Sequence, residues 1–143
     1  MAVGLLLLAA CSTAEVEPGP ITSFDDIVEP GPVTSFEDIA GTTYERVSPG
    51  AVWFMHIFED GTWHRSSNRD LVEDRPSDIM ETRFEGTKVF VTETKGRCDE
   101  DEADFFAIYE IHLLENGNVE VAAIEDTCGS RPGYLSGEWA PVP

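Results

Sequence analysis

Two runs of β-forming residues, 105–114 and 119–125, are separated by Glu115-Asn116-Gly117, and the length of that loop decides which side chains share a face. A two-residue loop pairs Leu113 with Glu120 and His112 with Val121, mixing apolar and polar partners. A three-residue loop, with Gly117 in the left-handed conformation of a bulge, pairs Leu113 with Val119, Ile111 with Val121 and Tyr109 with Ala123. The opposite face then sets His112 against Glu120 and Glu110 against Ala122. A slip of one residue inverts every side chain, so the segregated pairing is the expected one. One face is core and the other wet, with Ile108 and Ile124 as the apolar exceptions.

The same grammar runs through the preceding sequence. A strand-like segment covers 42–47, and residues 51–58 are rich in β formers. Glu59-Asp60-Gly61-Thr62 turns that run back into Trp63-His64-Arg65, and 79–84 leads through Glu85-Gly86-Thr87 into 88–93. A last strand is expected over 134–139. About eight short strands without a long amphipathic helix predict an all-β fold, a small antiparallel up-and-down barrel whose closure removes exposed edges. A two-sheet sandwich is the alternative.

Ahead of the barrel the chain repeats itself. Residues 17–28 (Glu-Pro-Gly-Pro-Ile-Thr-Ser-Phe-Asp-Asp-Ile-Val) and 29–40 (Glu-Pro-Gly-Pro-Val-Thr-Ser-Phe-Glu-Asp-Ile-Ala) are identical at nine of twelve positions. Two short copies cannot make a solenoid, and Pro-Gly-Pro cannot enter a helix or a central strand, so these elements read as spacers. In each copy Ser, an acidic pair, and Phe and Ile three apart predict a capped helical turn. Only the second copy runs into a strand, so Phe36 and Ile39 are expected to pack on the domain, while Phe24 and Ile27 belong to a tether. Residues 11–33 hold five acids and no base, the composition of a self-repelling leash.

The run Leu5 to Ala10 is too short to cross a bilayer, which takes roughly 20 residues, but it suits the apolar stretch of a secretory leader. Leu8-Ala9-Ala10-Cys11 resembles the lipobox of bacterial lipoproteins, which implies cleavage before Cys11 and acylation of its sulfur. An ordinary secreted chain with an incidental cysteine is the alternative. The organisation expected is a leader at 1–10, a lipid-anchored acidic tether at 11–33, and a barrel domain at 34–143. Such a chain sits in the bacterial cell envelope outside the cytoplasm, joined to the membrane through its N-terminal lipid. A leash of n residues spans about 5–6 Å × √n, more when charged and Pro-rich, so the barrel stands about 30 Å or more from the membrane.

The formal charge of −19 opposes phosphate backbones, which excludes nucleic acid as a partner. With Cys11 assigned to lipid, Cys98 and Cys128 remain, and export puts them where disulfides persist. Their bridge would contribute about 3–4 kcal/mol in the chain-entropy picture.

Three stretches, Phe36-Glu-Asp-Ile-Ala-Gly-Thr-Thr-Tyr44, Phe58-Glu-Asp-Gly-Thr-Trp63 and Ile108-Tyr-Glu-Ile-His-Leu-Leu-Glu-Asn-Gly-Asn118, resemble small bacterial lipocalin-like proteins. In lipocalins a Gly-x-Trp near the first strand closes the barrel floor beside a short helix. Here Gly41-Thr42-Thr43-Tyr44 stands at that place, with Tyr for Trp and one position later. The resemblance implies a calycin-type barrel with an internal cavity, and names no ligand.

Candidate chemistry is sparse. The acidic run 98–104 lacks the spacing of a calcium loop, so a solvated loop beside a disulfide is expected. His56 and His64 fall opposite each other if the Asp60-Gly61 turn also has a three-residue loop, but no third metal ligand is near in sequence. No nucleophile elbow, phosphate loop or dinucleotide fingerprint occurs, so the reading includes no catalytic residue and no cofactor. Tyr44, Trp53, Trp63, Arg65 and Tyr109 form the candidate ligand-binding set, since aromatic walls with a few polar groups suit a small-molecule pocket. The same aromatics can fill an eight-stranded barrel solid. Arg83, which alternates with Met80, Thr82 and Phe84, is expected to face solvent. The expected function is a non-catalytic binding module for a small apolar ligand or protein partner; the alternative is an accessory subunit of an envelope complex.

Overall fold

The computed structural model describes residues 30–98 and 106–143. The leader with Cys11, the first repeat with Phe24 and Ile27, and the acidic run at 99–104 lie outside the described residues.

A short strand β1 (Gly31–Pro32) precedes eight longer ones: β2 (Thr42–Ser48), β3 (Ala51–Ile57), β4 (Thr62–Ser66), β5 (Asp78–Glu85), β6 (Lys88–Lys95), β7 (Ala107–Leu113), β8 (Val119–Asp126) and β9 (Gly137–Val142). Each of β2 to β9 pairs antiparallel with the next, and β9 returns to β2, so the eight close into a barrel rather than a sandwich. Closure uses the ladder groups that an open sheet would leave at its edges.

Turn chemistry sets the register. Leu113–Val119, Ile111–Val121, Tyr109–Ala123, His112–Glu120 and Glu110–Ala122 are all paired, as the three-residue loop requires. Gly117 (φ 81°) occupies the bulge position, and the Leu114 N–H donates to the Asn118 carbonyl at 2.8 Å. The β3–β4 hairpin is built the same way: Gly61 has φ 87°, the Phe58 N–H meets the Thr62 carbonyl at 2.9 Å, and His56 faces His64. In both loops the Asx side chain before the glycine, Asp60 or Asn116, accepts the N–H two residues on.

The inward phase buries Tyr44, Met55, Ile57, Trp63, Met80, Val89, Val91, Tyr109, Ile111, Val119, Val121 and Trp139. Each such large side chain, fully buried, stabilises the fold by roughly 1.5–3 kcal/mol. Arg83 lies in the outward phase and is exposed, pairing with Glu85 at 2.8 Å.

The second repeat closes one end of the barrel, here called the floor. β1 extends the sheet along the part of β7 that β6 does not reach, pairing Gly31 with Leu113 and Pro32 with His112. The Val33 N–H then donates to the Ile111 carbonyl at 2.8 Å. Packing thus begins at Gly31, three residues before the expected boundary at 34, and this Pro-Gly-Pro is more than a spacer. Proline is tolerated because β1 is a peripheral strand of two residues. Phe36 meets Phe84 edge to face at 4.7 Å, and Val33 and Ile39 are buried, so both Phe36 and Ile39 pack on the domain as expected. The expected helical turn is a 3₁₀ helix over Phe36–Asp38, and the Ser35 side chain makes no capping bond. Pro30, Leu113, Leu114 and Pro141 border an open cleft of about 430 Å³ at this end, so the chain enters and β9 finishes on the same side.

The opposite end, the mouth, differs from expectation. Residues 134–139 do not form one strand: a helix α1 (Arg131–Leu135) precedes β9. Pro132 in its first turn needs no backbone donor there, and Arg131 and Leu135 are buried. Cys98 and Cys128 lie beside α1 at disulfide distance, with Cα atoms 6.1 Å apart.

Candidate functional site

The five residues singled out in the sequence do not form one pocket wall. Tyr44 lies at the floor, where its hydroxyl donates to the Ile39 carbonyl at 3.2 Å and burial pushes its pKa up. Trp63 is fully buried in the core, and among the described residues its indole N–H has no hydrogen-bond partner. Trp53, Arg65 and Tyr109 lie toward the mouth, where they meet residues that the sequence reading passed over.

Arg65 follows Trp63 in the inward phase of β4, which carries a guanidinium into the barrel wall. It is 4% exposed. The Trp53 ring lies 4.2 Å from its central carbon and the Tyr134 ring 4.0 Å. Nη2 donates to Asp78 at 2.8 Å, and Ser77 Oγ donates to the same oxygen at 3.0 Å. Among the described residues Nε and Nη1 have no partner. The stacked rings contact the apolar faces of the guanidinium while its edge remains the polar part.

A second buried ion cluster adjoins the first. Arg131 on α1 holds Asp126 with two bonds, Nε to Oδ2 at 2.8 Å and Nη2 to Oδ1 at 2.9 Å. Its Nη1 is 3.9 Å from Glu93, and all three side chains are inaccessible to solvent. Tyr109 donates to Asp126, and Tyr134 donates to Glu93 at 2.5 Å. The Cys128 N–H donates to Asp126 at 2.8 Å and the Cys98 N–H to Glu93 at 3.2 Å. The cysteine pair and the ion network are therefore one unit, with Arg131 reaching both carboxylates. Gly96 (φ 137°) threads between them; a Cβ there would lie 1.9 Å from Glu93 Oε1 and 2.6 Å from Asp78 Oδ1.

This arrangement settles the protonation states. Burial alone would raise Asp126, but hydrogen bonds from Arg131, Tyr109 and the Cys128 amide outweigh it and hold the carboxyl below its usual range. Burial works against the Arg131 charge, yet the Asp126 pair moves its pKa up. Burial, followed by the bond to a carboxylate, pushes Tyr109 and Tyr134 far above the ordinary phenol value. Asp126 stays ionised and both tyrosines stay neutral, so the acids and phenols serve one another as partners.

Part of this cluster was legible. Glu93 continues the inward phase of Val89 and Val91, and Asp78 that of Met80. Asp126 was not. Val119 and Val121 are buried, exposed Ala123 continues their alternation opposite Tyr109, and the register then shifts, because Ile108 pairs with Glu125 while Tyr109 pairs with Ala123. Ile124 is the extra residue, and the bulge returns Asp126 to the inward side. Arg131 and Tyr134 lie where a strand was expected, and helical spacing is what brings them to the network.

On the outer wall His56 and His64 are opposed, but both Nδ1 atoms are engaged, His56 with Thr43 Oγ1 and His64 with the Glu73 carbonyl, each at 2.8 Å. The Phe58 ring stands between them, 4.5 Å from one and 4.7 Å from the other. Among the described residues no group of three or more His, Cys, Asp or Glu could hold a metal ion. A cleft of about 310 Å³ beside this pair is lined by Thr43, Arg69, Asp70, Glu73 and Asp74.

Compared with protein-family models, curated proteins and solved structures, the chain matches none.

Proposed function

We propose that this chain is a lipid-anchored, non-catalytic protein of the bacterial cell envelope, whose stapled barrel serves as an accessory subunit and engages a protein partner through its outer surface. The observation that carries this reading is the set of large side chains buried inside the barrel. Trp63, Trp139, Arg131, Tyr109, Met55 and Met80 are all fully buried, occupying the space that a carrier of a small apolar molecule keeps for its cargo. The mutual engagement of Asp126, Glu93, Tyr109 and Tyr134 supports a non-catalytic role, since a general acid or base must reach a substrate proton. Paired cysteines suit an oxidising compartment, and Cys11 in its lipobox-like setting supports the anchor.

A second reading, a small-molecule binding module, is favoured by one observation. Among the described residues Arg65 keeps two donors without partners beside the half-buried Trp53, which suits an anionic group at the mouth better than a wholly apolar ligand.

Native mass spectrometry of the full chain extracted in detergent from its own membrane tests both. The accessory role predicts acyl mass on Cys11, a co-purifying protein and no retained small molecule. A retained small molecule favours the second reading. An unmodified N-terminus beyond residue 11 removes the anchor, and a barrel with neither companion removes both roles.

A further inference from the structure

The floor groove is filled by a segment that the chain carries twice. Residues 31–39 seat themselves through the Gly31 and Pro32 pairing with β7, the Val33 amide, the Phe36 ring and the buried Ile39. At these positions the first copy has Gly19, Pro20, Ile21, Phe24 and Ile27. Four of the five are identical, and Ile21 differs from Val33 by one methylene. Asp25 replaces Glu37, which is exposed and makes no hydrogen bond that defines the seat. The described chain starts at Pro30, beside the open cleft at the floor, and the first copy ends just before it in the sequence. Once 31–39 leaves its seat, residues 28–41 join the first copy to β2, and a flexible tether of that length holds a segment at about millimolar effective concentration.

From this we infer that the floor groove has two interchangeable occupants within one chain, and that residues 19–27 take the place of 31–39 in a minor population. Two features make the second copy the main occupant. Gly41, with φ 72°, follows it and donates its N–H to Ile57 at 2.8 Å, whereas Glu29 follows the first copy and pays a steric penalty in that conformation. Seating the first copy also inserts twelve residues as a loop before β2, a cost that grows only slowly with loop length. The consequence, which rests on the proposed anchor at Cys11, is a leash with two lengths that differ by one repeat.

Thermal melting of four full-length chains tests the exchange: unsubstituted, F24A/I27A, F36A/I39A, and all four substitutions together. Truncation costs scaled to a domain of this size predict a shift of no more than about 1 °C for F24A/I27A, a fall of about 5 °C for F36A/I39A, and a fall of roughly 15 °C for the combination. Ile21→Asp, which puts a charge at the position of buried Val33, is expected to abolish the rescue in the F36A/I39A chain. Where F36A/I39A yields too little folded protein, F36A alone is compared with and without F24A/I27A. Equal falls with and without the first copy overturn the inference. So does a large loss from F24A/I27A alone, which would mean a separate seat, and so does rescue that grows with protein concentration, which would mean exchange between molecules.

Discussion

The two ends of this barrel are sealed by opposite kinds of chemistry. At the floor a peptide strap lays Val33, Phe36 and Ile39 over an apolar core, and its pairing with β7, the Val33 amide and one tyrosine hydroxyl fix its place. At the mouth two arginines and three carboxylates are buried together beside a cysteine pair at disulfide distance. The apolar seal is tolerant, because a side chain of similar size can replace another. The ionic seal is intolerant, because removing one partner strands another charge without solvent. This difference explains why the floor can be written by a sequence that occurs twice, while the mouth uses residues from four separate strands and a helix.

The largest expected effect is at the mouth. Arg131→Met strands Asp126 and Glu93 and should destabilise the barrel by about 3–5 kcal/mol, read from denaturant unfolding. A loss no larger than that of a surface substitution would erase the contrast between the ends. Reducing the Cys98–Cys128 pair should cost about 3–4 kcal/mol in melts with and without reductant. Because both cysteine amides donate to the ion network, that loss and the Arg131→Met loss should not add.

A sharper comparison uses the two matched hairpins. A Cβ on Gly61 would lie 2.7 Å from the Thr82 carbonyl and 2.9 Å from the Phe36 ring, whereas nothing lies within 4 Å of the same position on Gly117. Gly117→Ala should therefore cost only the left-handed backbone penalty, about 1–2 kcal/mol, and Gly61→Ala should exceed it by about 1 kcal/mol or more in parallel unfolding curves. Similar losses would mean that the strap does not press on the β3–β4 turn. The smallest effect expected is Tyr44→Phe, about 0.5–1.5 kcal/mol for the bond to Ile39.

The pH dependence separates the ends as well. Asp126 is depressed in the folded state, so its contribution is present above the ordinary value of 3.8 and is lost as pH falls through the folded pKa. Tyr109 and Tyr134 are raised, so theirs is complete below 10.0 and is lost as pH climbs above it, when only the unfolded chain ionises. Titration followed by phenolate absorbance should show these two tyrosines ionising together with unfolding. Phenolate formation in a chain that stays folded would contradict the buried network.

The floor and the walls were largely legible because they are local. Asn116-Gly117 and Asp60-Gly61 determine their own hairpins, and once the loop length is set the register of β7 and β8 follows. The mouth was not. Its geometry depends on a bulge at Ile124 that reverses the alternation and on a five-residue helix placing Arg131 and Tyr134. Neither has a periodic signal, and contacts such as Tyr134 to Glu93 span 41 residues. The ligand set read from aromatic content mixed the two regions, since Tyr44 and Trp63 belong to packing, whereas Arg65 is one of the buried ions and Trp53 and Tyr109 contact that cluster.

Because Pro30 and Pro141 border one cleft, the first described residue and the last strand lie at the same pole. A reporter or affinity handle appended after Pro143 would hang on that side, leaving the opposite pole, with its paired cysteines, unobstructed. Two-ended labelling would consequently report on one hemisphere of the molecule, and probes for the other must be placed on internal loops.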